Sequence, residues 1–284
     1  MTGYEALRER AAWIDLSARG KIKVTGEDRA RLLHAMSTNH IQQLTPGTGC
    51  YAFFLNDKGR IIADANVLCR LDHFLLDVEP EARESLYQHL DRYIIADDVT
   101  LEDVTDATAT IAVEGPQAAE VMQKAGAPIP ESDYASQDWD DSLVARVNST
   151  GSPGFFIFTP GSEKSALIAR LEAAGAEPAD AEAARLVRLE HGKARYGEEI
   201  SDRFLAQEAN QPQALHFSKG CYLGQEIVER VRSRGQIHRV LQALTFDSKE
   251  PPAPGTKLEN STEIMSAAYS PALGKVVALG YVRT

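Results

Sequence analysis

The sequence predicts an α+β protein that closes in a small C-terminal β-barrel or sheet. Up to Arg234, short β-prone runs alternate with stretches of helical period, without the parallel βαβ rhythm of a dinucleotide-binding domain. One stretch, CYAFFLNDKGRIIADANVLCR, has the form of a β-hairpin. Beyond Arg234, strand-like IHRVLQALTF and GKVVALGYVRT flank the Pro-rich turn KEPPAPGTKL, the pattern of strands enclosed by turns.

Taken in order, KIKVTG reads as a strand ended by a turn. Residues 28–38 read as a helix with Ala30, Leu33 and Met36 or His34 on one side. The hairpin turns at Asn56-Asp57-Lys58-Gly59, whose Asn, Asp and Gly tolerate positive φ. A strand at 74–78 precedes a helix opened by Pro80 with an acidic first turn. TIAVEGPQAAEVMQKAG gives strand, Gly-Pro turn, helix and Gly stop. Residues 143–147 and 155–158 pair as strands, and Ala-rich helices follow at 162–174 and 180–192. The expected units are 1–106, 107–234 and 235–284. The chain ends where a barrel would be one or two strands short.

With 30 Lys and Arg against 41 Asp and Glu, the net charge of -11 disfavours nucleic acid and anionic membrane as partners. Residues 97–145 hold twelve carboxylates against Lys124 alone, most simply a solvating face. Residues 219–241 form a cationic island, with Lys219, Arg230, Arg232, Arg234 and Arg239 against Glu226 and Glu229, either a solvated helix end or a docking surface. No apolar run approaches a membrane span and no secretory signal is read, which places the protein in the cytoplasm. Neither G-x-G-x-x-G nor a phosphate-loop GK[ST] occurs, which disfavours nucleotide-driven chemistry. Cys50, Cys69 and Cys221 form no C-x-x-C pair, and the seven histidines show no ligand spacing, so no disulfide framework or resident metal is expected. Cys50 and Cys69 read as packing residues in hairpin strands.

The chemistry concentrates in FSKGCYLGQE, residues 217–226, which leads into IVERVR. Leu223, Ile227, Val228 and Val231 share a helical face, so the helix should begin just beyond the thiol. Its positive end and Lys219 would make Cys221 more thiolate-like, while Gly220 and Gly224 keep the backbone open. The plain alternative is a small buried hydrophobe. Asp64 lies on a strand whose alternate residues face inward, where a carboxylate becomes a perturbed acid or base or else a buried structural partner. Tyr51 and Phe53 alternate as walls of a core or cavity. Arg188 reads as a ligand contact or an interface residue, Glu190 as a structural one.

The string Lys219-Gly220-Cys221-Tyr222-x-Gly224-Gln225-Glu226, followed by Arg230 and Arg234-Gly235, closely resembles the signature of YgfZ-type proteins, a branch of the glycine-cleavage T-protein superfamily involved in iron–sulfur cluster assembly. The opening GKIKVTGEDRARLLHAMSTNHIQQLTPGTGCYAFFLNDKGRIIADANVL resembles the superfamily's N-terminal folate domain, and RLVRLEHGKARYGEEI resembles its R-x-E-x-G helix. The resemblance implies two α+β units around a central channel plus a C-terminal antiparallel β-barrel, with tetrahydrofolate or a derivative as cofactor. By that resemblance Cys221, Lys219 and Asp64 are the chemically active groups, and Asp64, Tyr51, Asn39, Arg188, Glu190, Tyr222, Gln225 and Arg230 contact the cofactor.

Two departures bear on activity. T-proteins carry adjacent carboxylates where this chain reads Ala63-Asp64, and a pterin-binding glutamate where it has Ser152. Both argue against aminomethyl transfer by the standard arrangement. The implied function is a monomeric folate-binding accessory protein that helps assemble or repair iron–sulfur enzymes, including tRNA-modifying ones. Its partners would be those client enzymes or cluster carriers. A tetrahydrofolate-dependent aminomethyltransferase or demethylase is the alternative, and a scaffold without folate is the third reading.

Overall fold

The computed structural model describes residues 2–235, 237–259 and 261–284, with Arg234 of the cationic run described by its backbone alone. Helix α1 (Thr2–Glu9) and strand β1 (Ala12–Asp15) precede a first sheet built from β2 (Gly20–Thr25), β3 (Gly49–Leu55), β4 (Ile61–Cys69), β5 (Phe74–Val78) and β6 (Thr100–Asp103). Its order is β3-β4-β5-β2-β6 and every neighbouring pair is antiparallel. Helices α2 (Arg29–Met36) and α3 (Arg83–Asp91) accompany it.

The β3–β4 hairpin forms as its sequence dictates. Asn56 Oδ1 accepts the backbone N–H groups of Lys58 at 2.9 Å and Arg60 at 3.0 Å, and Gly59 supplies the positive φ of 67°. That glycine is also a close approach, since a Cβ there would come within 2.8 Å of Ile227 Cβ. The hairpin tip thereby rests on the helix that follows the cysteine segment.

A second sheet has the order β11-β1-β7-β10-β9-β8, from β7 (Thr108–Glu114), β8 (Ser136–Trp139), β9 (Ser142–Ala145), β10 (Gly154–Pro160) and β11 (Glu177–Pro178). Helices α4 (Ala118–Lys124), α5 (Lys164–Ala173) and α6 (Ala181–Glu190) belong to this half. The chain interleaves the two halves more than the expected boundaries imply. Strand β1 pairs with β7, register Ala12 to Glu114. Tyr196, Ile200, Ala206, Ala214 and Val228 pack into the same core as Phe53 and Phe54. Apolar residues from distant segments complete that core because a sheet must cover its apolar faces.

The C-terminal part departs from expectation. Helix α7 (Gln225–Arg234) leads to β12 (Arg239–Phe246), β13 (Glu263–Ser270) and β14 (Lys275–Arg283), an antiparallel sheet of order β12-β14-β13 rather than a closed barrel. Three strands cannot curl far enough to meet. Instead one face, with Leu241, Val277, Leu279 and Tyr281, is buried against Leu189 of α6 and Phe204, whose ring stacks on Tyr281 at 3.8 Å. Among the described residues no helix is long and apolar enough to cross a membrane.

Candidate functional site

A cavity of about 830 Å³ opens between the two large sheets, within the range of small-molecule and cofactor sites. Tyr51 of β3 and Asp64 of β4 line it from one side, Trp13 and Phe156 from the other sheet, and Arg188 of α6 contributes as well.

Asp64 is buried. Tyr51 Oη donates to its Oδ2 at 2.6 Å. Burial pushes the Asp64 carboxyl up to about 6; the Tyr51 hydrogen bond and Arg19 oppose that rise, while the charges of Glu79 and Asp77 add to it. Burial likewise raises the Tyr51 phenol well above its ordinary value. A carboxyl poised near neutrality inside a cavity can take up or release a proton without large cost. Arg19, on the approach to β2, acts on Asp64 through its charge. It grips Asp77 with two bonds of 2.8 Å, Nε to Oδ1 and Nη2 to Oδ2, and also bonds Glu79. Asn66 Nδ2 donates to the same Asp77 at 2.8 Å.

The β4 pleat explains the neighbouring departure. Asp64 pairs in register with Phe53 and Ala63 with Phe54, and side chains alternate between faces. Ala63 is fully buried in the core of the first unit and does not line the cavity. A carboxylate missing at this position removes nothing from the cavity wall. Ser152 is also buried and off the wall; Ser149 and Thr150 line it instead.

Arg188 lines the cavity, yet its guanidinium is spoken for. Nη1 donates to Glu199 Oε2 at 2.8 Å and to the Lys193 carbonyl at 2.6 Å, and Nη2 lies 3.0 Å from Glu198. It shapes the wall as a member of an ion-pair network. Glu190 is corrected from the expected contact set. It does not line the cavity, and its carboxylate accepts Tyr4 Oη at 2.6 Å, Ser270 Oγ at 2.5 Å and Arg8. Its chemistry fastens α1 to β13.

The remaining expected residues form a second locality away from the cavity wall. Cys221 is exposed, but α7 begins at Gln225, four positions on, and its N-terminal position is Gly224 in the left-handed conformation. Gln225 Oε1 turns back to accept the Tyr222 N–H at 3.4 Å, a loose cap on the helix start. Lys219 does not serve Cys221 as expected. It is buried and donates to the carbonyls of His34 and Ser37, the end of α2, 4.8 Å from the Tyr222 ring. Burial pushes its amine down to about 7. A cation satisfies the carbonyls a helix leaves open at its C-terminus, which explains why Lys219 points inward. Arg230 stands exposed on α7. Asn39 joins the two localities, donating through Nδ2 to the carbonyls of Tyr51 at 2.8 Å and Gln213 at 2.9 Å.

Sequence reasoning missed a histidine group beside this segment. The His34 and His40 rings lie 4.6 Å apart and those of His40 and His216 5.1 Å apart. Burial, with Lys219 and the other two rings, pushes His34 down to about 4. Their positions, 34, 40 and 216, carry no local spacing signal, because backbone bonds such as His216 N–H to the Thr38 carbonyl at 3.0 Å bring them together. Among the described residues no three such side chains converge as metal ligands. Arg19, Glu79, Lys193 and Arg195, which also line the cavity, were missed for the same reason.

Comparison with known proteins places this arrangement. The GCVT N-terminal domain matches residues 2–219. An aminomethyltransferase of Rubrobacter xylanophilus is 30% identical over 98% of this chain and 78% of that protein. A chloroplastic protein of Arabidopsis thaliana, named no more closely than as a transferase, is 30% identical over 86% of this chain and 58% of its own length. The crystal structure of glycine cleavage system aminomethyltransferase T from Bartonella henselae superposes with a TM-score of 0.90 at 21% identity, covering 99% of this chain and 81% of that one, a likeness of fold. The chain belongs to the GCVT family, the folate-dependent glycine-cleavage T-protein superfamily.

Proposed function

We propose that this protein binds a reduced folate in the cavity beside Asp64 and acts as an accessory factor in the assembly or repair of iron–sulfur enzymes, tRNA-modifying ones included. The observation that carries the ligand half is the Tyr51–Asp64 pair, a buried acid near neutrality facing a cavity of about 830 Å³. Such a donor and acceptor suit the nitrogen-rich pterin, and the apolar Trp13 and Phe156 suit its ring system. A reduced folate supplies one-carbon chemistry when bound. The protein's own part is to orient it and to hold or release a proton at the Asp64 carboxyl.

The accessory half is supported by the KGCYLGQE segment. Lys219 and the backbone bond from Leu223 N–H to Ala35 O, 3.0 Å, seat that segment on α2, and His216 N–H to Thr38 O, also 3.0 Å, ties the chain just before it to the residues after α2. They leave Cys221 outward, clear of the cavity. An aminomethyl transfer confined to the cavity has no use for that thiol. A lone thiol holds no cluster by itself, since clusters take about four protein ligands, so its contribution is made transiently against a client or a carrier.

Aminomethyl transfer stays as the second reading on a specific ground. Asp64 is retained on the cavity face and Ala63 belongs to the core, so the wall lacks no carboxylate from that pair. One experiment separates the readings: titrate tetrahydrofolate, then add a lipoyl-bound aminomethyl donor. Binding without methylenetetrahydrofolate production is expected. Robust production would sink the accessory reading, and absence of binding would sink the folate reading.

A further inference from the structure

Among the described residues, one cation on the cavity wall is explained neither by the ion-pair networks nor by the Tyr51–Asp64 pair. Lys193 follows α6, its N–H bonded to the Arg188 carbonyl at 3.0 Å. Its ammonium donates to the Asn148 carbonyl and, at 2.7 Å, to Asn148 Oδ1. An ammonium has three donors, and Asn148 engages two of them. The partner is neutral, so it orients the charge without cancelling it. Lys193, Asn148, Ser149 and Thr150 all line the cavity. Glu114, a carboxylate that acts on this ammonium without lining the cavity, is fully buried and already accepts the N–H and hydroxyl groups of both Ser149 and Thr150. This stretch of wall therefore offers a ligand the positive charge of Lys193 and its third N–H, while the donors of Ser149 and Thr150 are taken up by the buried Glu114.

We infer that Lys193 donates to an oxygen acceptor of the bound ligand, a ring carbonyl or a carboxylate, and so selects among ligands. This rests on the folate reading. The charges acting on the ammonium are Glu114, Glu79 and Asp64, which favour it, and Arg19, which opposes it; burial outweighs them and lowers its pKa. The sign follows. Burial lets the ammonium lose its proton more readily than an ordinary lysine, so a donor ammonium is lost as pH rises and binding should weaken towards the alkaline side. A lysine that only ties α6 to the 148 turn would affect stability and leave both affinity and that limb untouched.

The test uses the full chain with two probes, tetrahydrofolate and 6-methyltetrahydropterin, which lacks the benzoylglutamate part, titrated from about pH 7 to 10. Lys193→Met should weaken tetrahydrofolate binding at least about tenfold at neutral pH and abolish the alkaline limb. Lys193→Gln, which keeps donors for Asn148 and guards against a folding defect, should bind with no alkaline limb. Loss on both probes assigns the acceptor to the ring carbonyl, and loss on tetrahydrofolate alone assigns it to the benzoylglutamate oxygens. Wild-type affinity and an unchanged alkaline limb in Lys193→Gln would overturn the inference. Failure of the wild type to bind either probe would overturn the folate reading itself, and this one with it.

Discussion

Tyr51 and Asp64 meet across the β3–β4 hairpin on a diagonal. Tyr51 pairs in register with Asn66 and Asp64 with Phe53, yet the Tyr51 phenol reaches Asp64 Oδ2 at 2.6 Å. Diagonal neighbours lie within reach of an aromatic side chain, so the hairpin register alone brings the two polar groups together on the cavity face. The cost of burying Asp64 is left only partly relieved by this bond, and that residue of unrelieved cost is measurable.

Asp64→Asn is expected to stabilise the protein at neutral pH while weakening ligand binding. The folded-state pKa of about 6 lies above the ordinary 3.8, so the folded protein holds a proton that the unfolded chain releases. Stability is highest below the unfolded value and falls as pH rises towards 6. The two units correspond to roughly 3 kcal/mol. Urea melts should show the variant gaining on the wild type at pH 7 and not at pH 3.5 or thereabouts. An equal gain at both would mean that the carboxyl is not the source.

Tyr51→Phe should move in the other direction on the proton. The phenol favours the ionised carboxylate, so its removal raises the Asp64 pKa further, by about one unit on the usual strength of a hydrogen bond to a charged group. The pH midpoint of tetrahydrofolate affinity should shift upward accordingly. An unshifted midpoint would place the titrating group elsewhere.

Glu190→Ala should damage the fold and spare the ligand. The carboxylate, with a side chain only 3% exposed, loses Tyr4, Arg8 and Ser270 at once, worth about 2 to 3 kcal/mol. Calorimetry should show a Tm lower by several degrees, with tetrahydrofolate affinity unchanged. A tenfold loss of affinity at unchanged Tm would restore Glu190 to the ligand site.

How far the sequence disclosed these features depends on the range of the interactions. The hairpin was legible because Asn56 and Gly59 act within their own turn. A period of two puts Asp64 on an inward strand face and makes Tyr51 a wall of either a core or a cavity, and the cavity that both line is visible only in the structure. What was not legible required distant partners. Lys219 was expected to act on Cys221, two residues away, whereas it caps α2 through carbonyls at 34 and 37. Glu190 reads as structural from its own residues and as a ligand contact only by the family resemblance, and its structural partners, residues 4, 8 and 270, are too distant in the chain to be read from sequence. Strand β13 went unread because EIMSAAYS carries a bulge between Ile264 and Ser266 that breaks the alternation.

The three cysteines should react in a fixed order, Cys221 well ahead of the others. Cys221 is exposed, Cys50 half-buried and Cys69 buried. Burial pushes the Cys50 thiol up to about 12 despite the nearby Lys219 charge, and raises Cys69 as well, so neither supplies much thiolate at neutral pH. Iodoacetamide labelling of the native protein followed by peptide mass spectrometry should find Cys221 modified first and by a wide margin; prior labelling of Cys50 would contradict the placement of the segment. Because Cys221 is exposed and belongs to none of the core clusters of the described residues, Cys221→Ser should melt within about 0.5 kcal/mol of the wild type, as surface changes do, and bind tetrahydrofolate equally well. In cells lacking the protein, the same variant should fail to restore the activity of iron–sulfur enzymes while the wild type does. Full rescue by Cys221→Ser would take the thiol out of the function and leave the cavity as its working part.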